Sequence, residues 1–73
     1  DTGIDVNHPD LKGRLDGLKI FNGSSTGDEV GHGTHVSGTI VADGQGGGLL
    51  GVAPDSRLLM GKVCSKNGCT TTG

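Results

Sequence analysis

The apolar positions of this chain come in short runs, each closed off by glycine, proline or a small polar cluster, and the spacing inside a run limits what it can form. Leu15 to Phe21 is an apolar-rich run of strand length. Arg57 to Val63 reads as a buried strand built around Leu58, Leu59 and Met60, entering a turn between Cys64 and Cys69. Between these two runs, Gly33 to Ala42 has two readings. Val36 and Ile40 stand one helical turn apart, while Val36, Gly38 and Ile40 also alternate as a strand would, and periodicity alone does not separate the two. The other stretches are punctuation. Asp1-Thr2-Gly3 reads as the exit from a strand, Asn7, Pro9 and Asp10 bend the chain again, Asn22 to Gly31 is a polar loop, and Asp43 to Gly48 is mostly glycine. Strand, candidate helix and strand in alternation predict an α/β arrangement with a parallel sheet.

Composition turns this into a piece of something larger. Of 73 residues, 16 are glycine and one is Phe, with no Trp or Tyr, which is too little bulk and too much backbone entropy for a self-sufficient core. The chain opens on Asp1 without an initiator Met and ends just after three threonines, as an excerpt of a longer chain would. Eight acids against six bases give a net charge of −2, and the bases are scattered at Lys12, Arg14, Lys19, Arg57, Lys62 and Lys66. No basic stripe suits a nucleic acid, and no apolar run is long enough to span a bilayer, so neither partner is expected. Cys64 and Cys69 enclose Ser-Lys-Asn-Gly, whose Asn67-Gly68 pair is a turn former able to bring the two sulfurs together. A bond there predicts an exported protein.

Several short motifs fail on their context. Gly46, Gly48 and Gly51 match a dinucleotide fingerprint, but Pro54 interrupts the helix it needs and Thr71 stands where an acid is required. Gly61-Lys62 runs on to Val63, without the hydroxyl residue of a phosphate loop. Asn22-Gly23-Ser24 fits a glycosylation acceptor, but reads first as an Asn-Gly turn in a solvated loop. His32 and His35, three apart, could share a metal on one helix face, or with the two cysteines form a small zinc module, yet the cysteine spacing is wrong for one. Asp28 and Glu29, just before His32, read as solvated loop charges, with attraction of a basic substrate residue as the sharper alternative.

Four motifs occur together and in order: D-T-G-I-D at 1 to 5, H-P-D-L at 8 to 11, H-G-T-H-V-S-G-T at 32 to 39 and G-V-A-P at 51 to 54. This set resembles the subtilisin-like serine proteases over essentially the whole chain. The resemblance implies an α/β fold with a parallel sheet in a three-layer domain, of which residues 1–73 are the N-terminal part of the peptidase catalytic domain. It also implies a helix over Gly33 to Ala42, with Asp1 and His32 as two members of an Asp-His-Ser triad and His35 structural. Those residue types suit the chemistry. A serine hydroxyl is a weak nucleophile at neutral pH, and an imidazole can take its proton and return it to the leaving amine while a carboxylate fixes the other ring nitrogen.

The resemblance further implies a protein or peptide substrate paired along Gly68, Cys69 and Thr70 and secretion of a monomeric enzyme. The Cys64 to Cys69 turn would then rim the cleft, and the turn together with the expected export favours a Cys64–Cys69 disulfide there over two unpaired thiols. Asp10 would bind a structural calcium together with the loop at Asp43, Gln45, Gly47 and Leu49, although the family's usual loop asparagine is Gln45 here. The family's G-T-S-type serine motif and its oxyanion asparagine are absent, and Ser24, Ser25, Ser37, Ser56 and Ser65 lack that setting. The 73 residues alone are therefore expected to hydrolyse nothing. The competing reading is a pseudoprotease that keeps the fold as a binding scaffold. A chain end frays, so Asp1 need not reach His32, and apolar faces are expected to be left open.

Overall fold

The computed structural model describes residues 1–23 and 27–71, so Ser24 and Ser25 lie outside the described residues, and with Ser24 the end of the Asn22 triplet. The elements are β1 (Leu15–Ile20), α1 (His32–Val41), β2 (Leu58–Lys62), β3 (Cys64–Ser65) and β4 (Gly68–Cys69). β1 and β2 pair in parallel, from Leu15 opposite Leu58 to Ile20 opposite Lys62, with one irregularity between Leu15 and Gly17. Parallel neighbours need a long crossover, and α1 lies within it. This is the α/β arrangement that the alternation of runs predicts. Among the described residues no helix is long and apolar enough to cross a membrane.

The core is small. Ile4, Leu11 and Val41 are buried and Leu15, Leu58 and Met60 pack against them. Leu58 and Met60 are two apart in β2 and so share a face, while Leu59 between them points to the opposite side and is 81% exposed. Helix α1 turns an unexpected stripe inward. Gly33, Ser37 and Val41, at i, i+4 and i+8, are its buried positions, whereas Ile40 is exposed. The stretch is helical, but the Val36 and Ile40 pair is not its core face. Small residues at 33 and 37 let the helix approach the chain beneath it closely, a signal that apolar periodicity does not carry.

The C-terminal end of α1 is closed by a chain segment rather than by its own side chains. At the C-terminal end, the carbonyls of Ala42, Thr39 and Ile40 accept the N–H groups of Gly51, Val52 and Ala53 at 2.9, 3.0 and 2.7 Å. The G-V-A stretch thus satisfies carbonyls that a helix end otherwise leaves to water. Asp1 runs beside β2: its N–H donates to Gly61 O at 2.8 Å and its carbonyl accepts from Val63 at 2.9 Å and Cys64 at 3.1 Å. These bonds hold Asp1 beside Gly61 in β2 and beside Val63 and Cys64, which follow it.

β3 and β4 form a hairpin, with Cys64 opposite Cys69 and Ser65 opposite Gly68. The turn proper falls on Lys66 and Asn67, one residue earlier than the Asn67-Gly68 pair suggests, and Gly68 takes the positive φ of 128°. The sulfurs of Cys64 and Cys69 are bonded at 2.01 Å.

Candidate functional site

His32 is the first residue of α1 and Asp1 is bonded to Gly61 near the end of β2, so the fold brings a helix start against a strand end. His32 Nδ1 lies 2.8 Å from Asp1 Oδ1, and the same oxygen accepts the Thr2 N–H at 2.6 Å. The expectation that Asp1 could fray away is corrected here: its nitrogen is bonded to Gly61 of β2 and its carbonyl to Val63 and Cys64. The His32 side chain is 67% exposed, which leaves the far edge of the ring open to solvent, while Asp1 is the more enclosed partner at 27%. Among the described residues no serine hydroxyl is bonded to the His32 ring.

The approach of the two elements is close enough to dictate residue type. A Cβ added at Gly33 would stand 2.1 Å from the Gly3 carbonyl oxygen, so the residue after His32 has to be glycine for the helix to sit this low. Gly33 N–H donates to Thr2 Oγ1 at 2.8 Å. The helix has no side-chain cap from its own N-cap residue, Gly31. Asp28 takes that place from the preceding loop, accepting Gly31 N–H at 2.8 Å and Thr34 N–H at 2.8 Å. Asp28 is therefore not the solvated loop charge that the sequence suggests. Partial burial pushes its carboxyl up, but the hydrogen bonds from the Thr34 side chain, the Gly31 and Thr34 backbones and the Thr2 side chain outweigh this and hold it below the ordinary carboxylate range. Lys62 pins the same loop from below: it is 1% exposed and its Nζ donates to Gly27 O at 2.7 Å, with Glu29 Oε1 at 3.6 Å.

Residues expected to read substrate lie on the hairpin. Gly68 and Cys69 are exposed, Thr70 is half-buried, and Thr70 N–H donates to Val63 O at 2.7 Å. The Asn22 amide reaches Val63 O at 3.3 Å and Gly68 O at 3.4 Å, so it ties the hairpin to the end of β1. Alternation along the antiparallel ladder turns the N–H and C=O of Cys69 away from β3.

The calcium candidates converge in part. Asp10 is buried, and the loop closes over it: Gly46 N–H donates to its Oδ1 at 2.6 Å and Asp43 N–H to its carbonyl at 3.1 Å. Side chains at 46 and 48 would collide with the carboxylate, since a Cβ there would lie 2.7 and 2.5 Å from its oxygens. Asp43 Oδ1 instead caps Gln45 N–H at 3.0 Å, and Gln45, Gly47 and Leu49 are exposed. Among the described residues no three His, Cys, Asp or Glu side chains are grouped to hold a metal, so any ion here would rest on Asp10 and loop carbonyls. Hard oxygen donors of that kind suit calcium. His32 and His35 form no such group, and both cysteines are bonded to each other, which disposes of the zinc module.

Known proteins bear on what this geometry serves. An intracellular serine protease of Paenibacillus polymyxa is 49% identical over 74 residues, covering 93% of this chain and 23% of the relative. The major intracellular serine protease of Bacillus subtilis is 49% identical over 69 residues, covering 86% of this chain and 22% of the relative. A subtilisin of Bacillus sp. is 46% identical over 76 residues, covering 93% of this chain and 18% of its own length. The chain thus spans less than a quarter of these curated relatives. Two of the names overturn the expectation of a secreted protein. The inference from the cysteines was too strong, because a two-residue turn brings Cys64 and Cys69 together locally and says little about the compartment. The model of the Subtilase family matches residues 1–73, and with relatives at this identity the chain belongs to the subtilase family.

Proposed function

We propose that the full-length protein is a monomeric serine endopeptidase and that residues 1–73 are the N-terminal part of its catalytic domain, supplying the acid and base of the triad. The observation that carries this reading is the 2.8 Å contact between His32 Nδ1 and Asp1 Oδ1. With its Nδ1–H given to Asp1, the ring presents Nε2 as the base that takes the proton of a serine hydroxyl and later protonates the leaving amine. Asp1 fixes that tautomer and stabilises the imidazolium as it forms. The serine and the oxyanion donors come from chain outside these residues. An extended peptide substrate adds along the hairpin edge at Gly68, Cys69 and Thr70, bonding to the outward main chain of Cys69. A structural calcium would be held by Asp10 with oxygens of Asp43, Gln45, Gly47 and Leu49, where it would clamp the loop without entering the chemistry.

A fluorophosphonate probe, which reacts only with an activated serine, tests the central reading. The full-length protein is expected to be labelled and to hydrolyse a peptide amide, the His32→Ala variant to lose roughly 10⁴-fold or more of that activity, and residues 1–73 alone to do neither. A full-length protein that folds but is neither labelled nor active would instead be the pseudoprotease scaffold.

A further inference from the structure

Asp1 and His32 come from segments 31 residues apart, so their 2.8 Å contact depends on how accurately a strand end and a helix start are registered. We propose that Asp28 is the positioning residue that sets this register, by fixing the direction of two threonine hydroxyls that bridge the segments. The proposal rests on the serine-protease reading for its effect on catalysis.

An ionised carboxylate can only accept hydrogen bonds, and a hydroxyl has only one proton to give. Thr2 Oγ1 donates its proton to Asp28 Oδ1 at 2.8 Å, so its lone pairs are left to accept Gly33 N–H, also at 2.8 Å. Thr34 Oγ1 donates to Asp28 Oδ2 at 2.7 Å and in turn accepts Asp5 N–H at 2.9 Å. Thr2 follows Asp1 and Gly33 follows His32, so the first bridge lies directly beneath the catalytic pair. The second bridge ties the far end of the 1–5 segment to the next residue of the helix. One carboxylate therefore orients two bridges that cross between the same two segments, while its bonds to Gly31 N–H and Thr34 N–H hold the helix start itself. Charge-assisted bonds of this kind are among the stronger and shorter ones, and Thr2, 8% exposed, is shielded from competing water.

An amide cannot do the same job. In Asp28→Asn, whichever way the group is turned, its NH₂ faces either the Gly31 N–H and the Thr2 hydroxyl or both donors of Thr34. Thr2→Val removes one bridge without touching Asp28, and Glu29→Gln removes a neighbouring charge that makes no bond to either segment.

The test uses the full-length protein and two readouts. In proton NMR, the His32 Nδ1–H bonded to Asp1 is expected downfield of the amides, to broaden or vanish in Asp28→Asn and Thr2→Val, and to persist in Glu29→Gln. In peptide hydrolysis, the first two variants are expected to lose about ten- to a hundredfold in kcat with KM within about twofold, as misplacement by a fraction of an ångström to an ångström would produce. An unchanged Nδ1–H resonance and kcat in folded Asp28→Asn or Thr2→Val overturns the proposal. So does a change confined to KM for substrates with basic residues, which would make Asp28 a substrate-reading charge. If the wild-type chain hydrolyses nothing, the protease reading falls, while the Nδ1–H resonance still decides whether Asp28 positions the pair.

Discussion

The hydrogen bonds that hold Asp28 charged also make the site sensitive to acid. Its folded-state carboxyl titrates below the ordinary value of about 3.9, so the stability it contributes is fully present above that pH and is lost as the pH falls from there through the depressed value. Comparing melting temperatures of full-length wild type and Asp28→Asn across pH should show the variant less stable at neutral pH, with the gap narrowing below about pH 4. A gap that stayed constant into strong acid would mean that the ionised form of Asp28 has no special role in the fold. Among single residues, Asp1 and His32 were singled out by four motifs occurring together and in order, and the structure sets their side chains 2.8 Å apart. Asp28 was not legible. It lies in a polar loop with no periodicity, and its role exists only once the fold has brought Thr2 and Thr34 to it from either side.

Strands β1 and β2 were legible in kind, as apolar runs of strand length flanked by glycine and polar clusters, but the helix was not: Gly33 to Ala42 fits helix and strand spacing alike, and only the motif resemblance separates them. What the pattern missed was orientation. The inward stripe of α1 is Gly33, Ser37 and Val41, so only one of its three core positions is a large apolar residue and hydrophobic spacing pointed to the wrong face. The hairpin shows the same limit at shorter range, since its turn is centred on Lys66 and Asn67 and leaves the positive φ to the glycine that follows. Its bond between Cys64 and Cys69 closes a loop with a sequence separation of 5, for which the chain-entropy estimate is about 2 kcal/mol. Replacing both cysteines by serine in the full-length protein is therefore expected to lower the unfolding free energy by about that amount in denaturant titrations. Equal stability of the variant, or thiols that react in native protein without reductant, would show that the bond does not contribute.

At the scale of the whole molecule, a small core goes with an open apolar surface in a chain that spans less than a quarter of its curated relatives. Leu49, Leu50 and Val52 are 90, 66 and 87% exposed. They rim a groove of about 710 Å³ whose other side is the α1 face at Thr34, His35 and Gly38. The loop from Asp43 to Leu49 bounds this surface and is anchored at one end by Asp10, while the stretch just beyond it, Gly51 to Ala53, closes the C-terminal end of the helix that carries His32. An ion clamping Asp10 to that loop would therefore steady the helix through its C-terminal end, a connection that no single motif reveals. Chelation of the full-length protein with EGTA is expected to lower its melting temperature, and calcium but not magnesium to restore it, because Asp10 and carbonyls of a glycine-rich loop suit a larger cation with flexible geometry. Saturation at a hundredfold excess over Kd would correspond to about 2.7 kcal/mol of stabilisation. A melting temperature indifferent to chelator would show that the Gly46 N–H bond to Asp10 holds the loop by itself and that no calcium is needed.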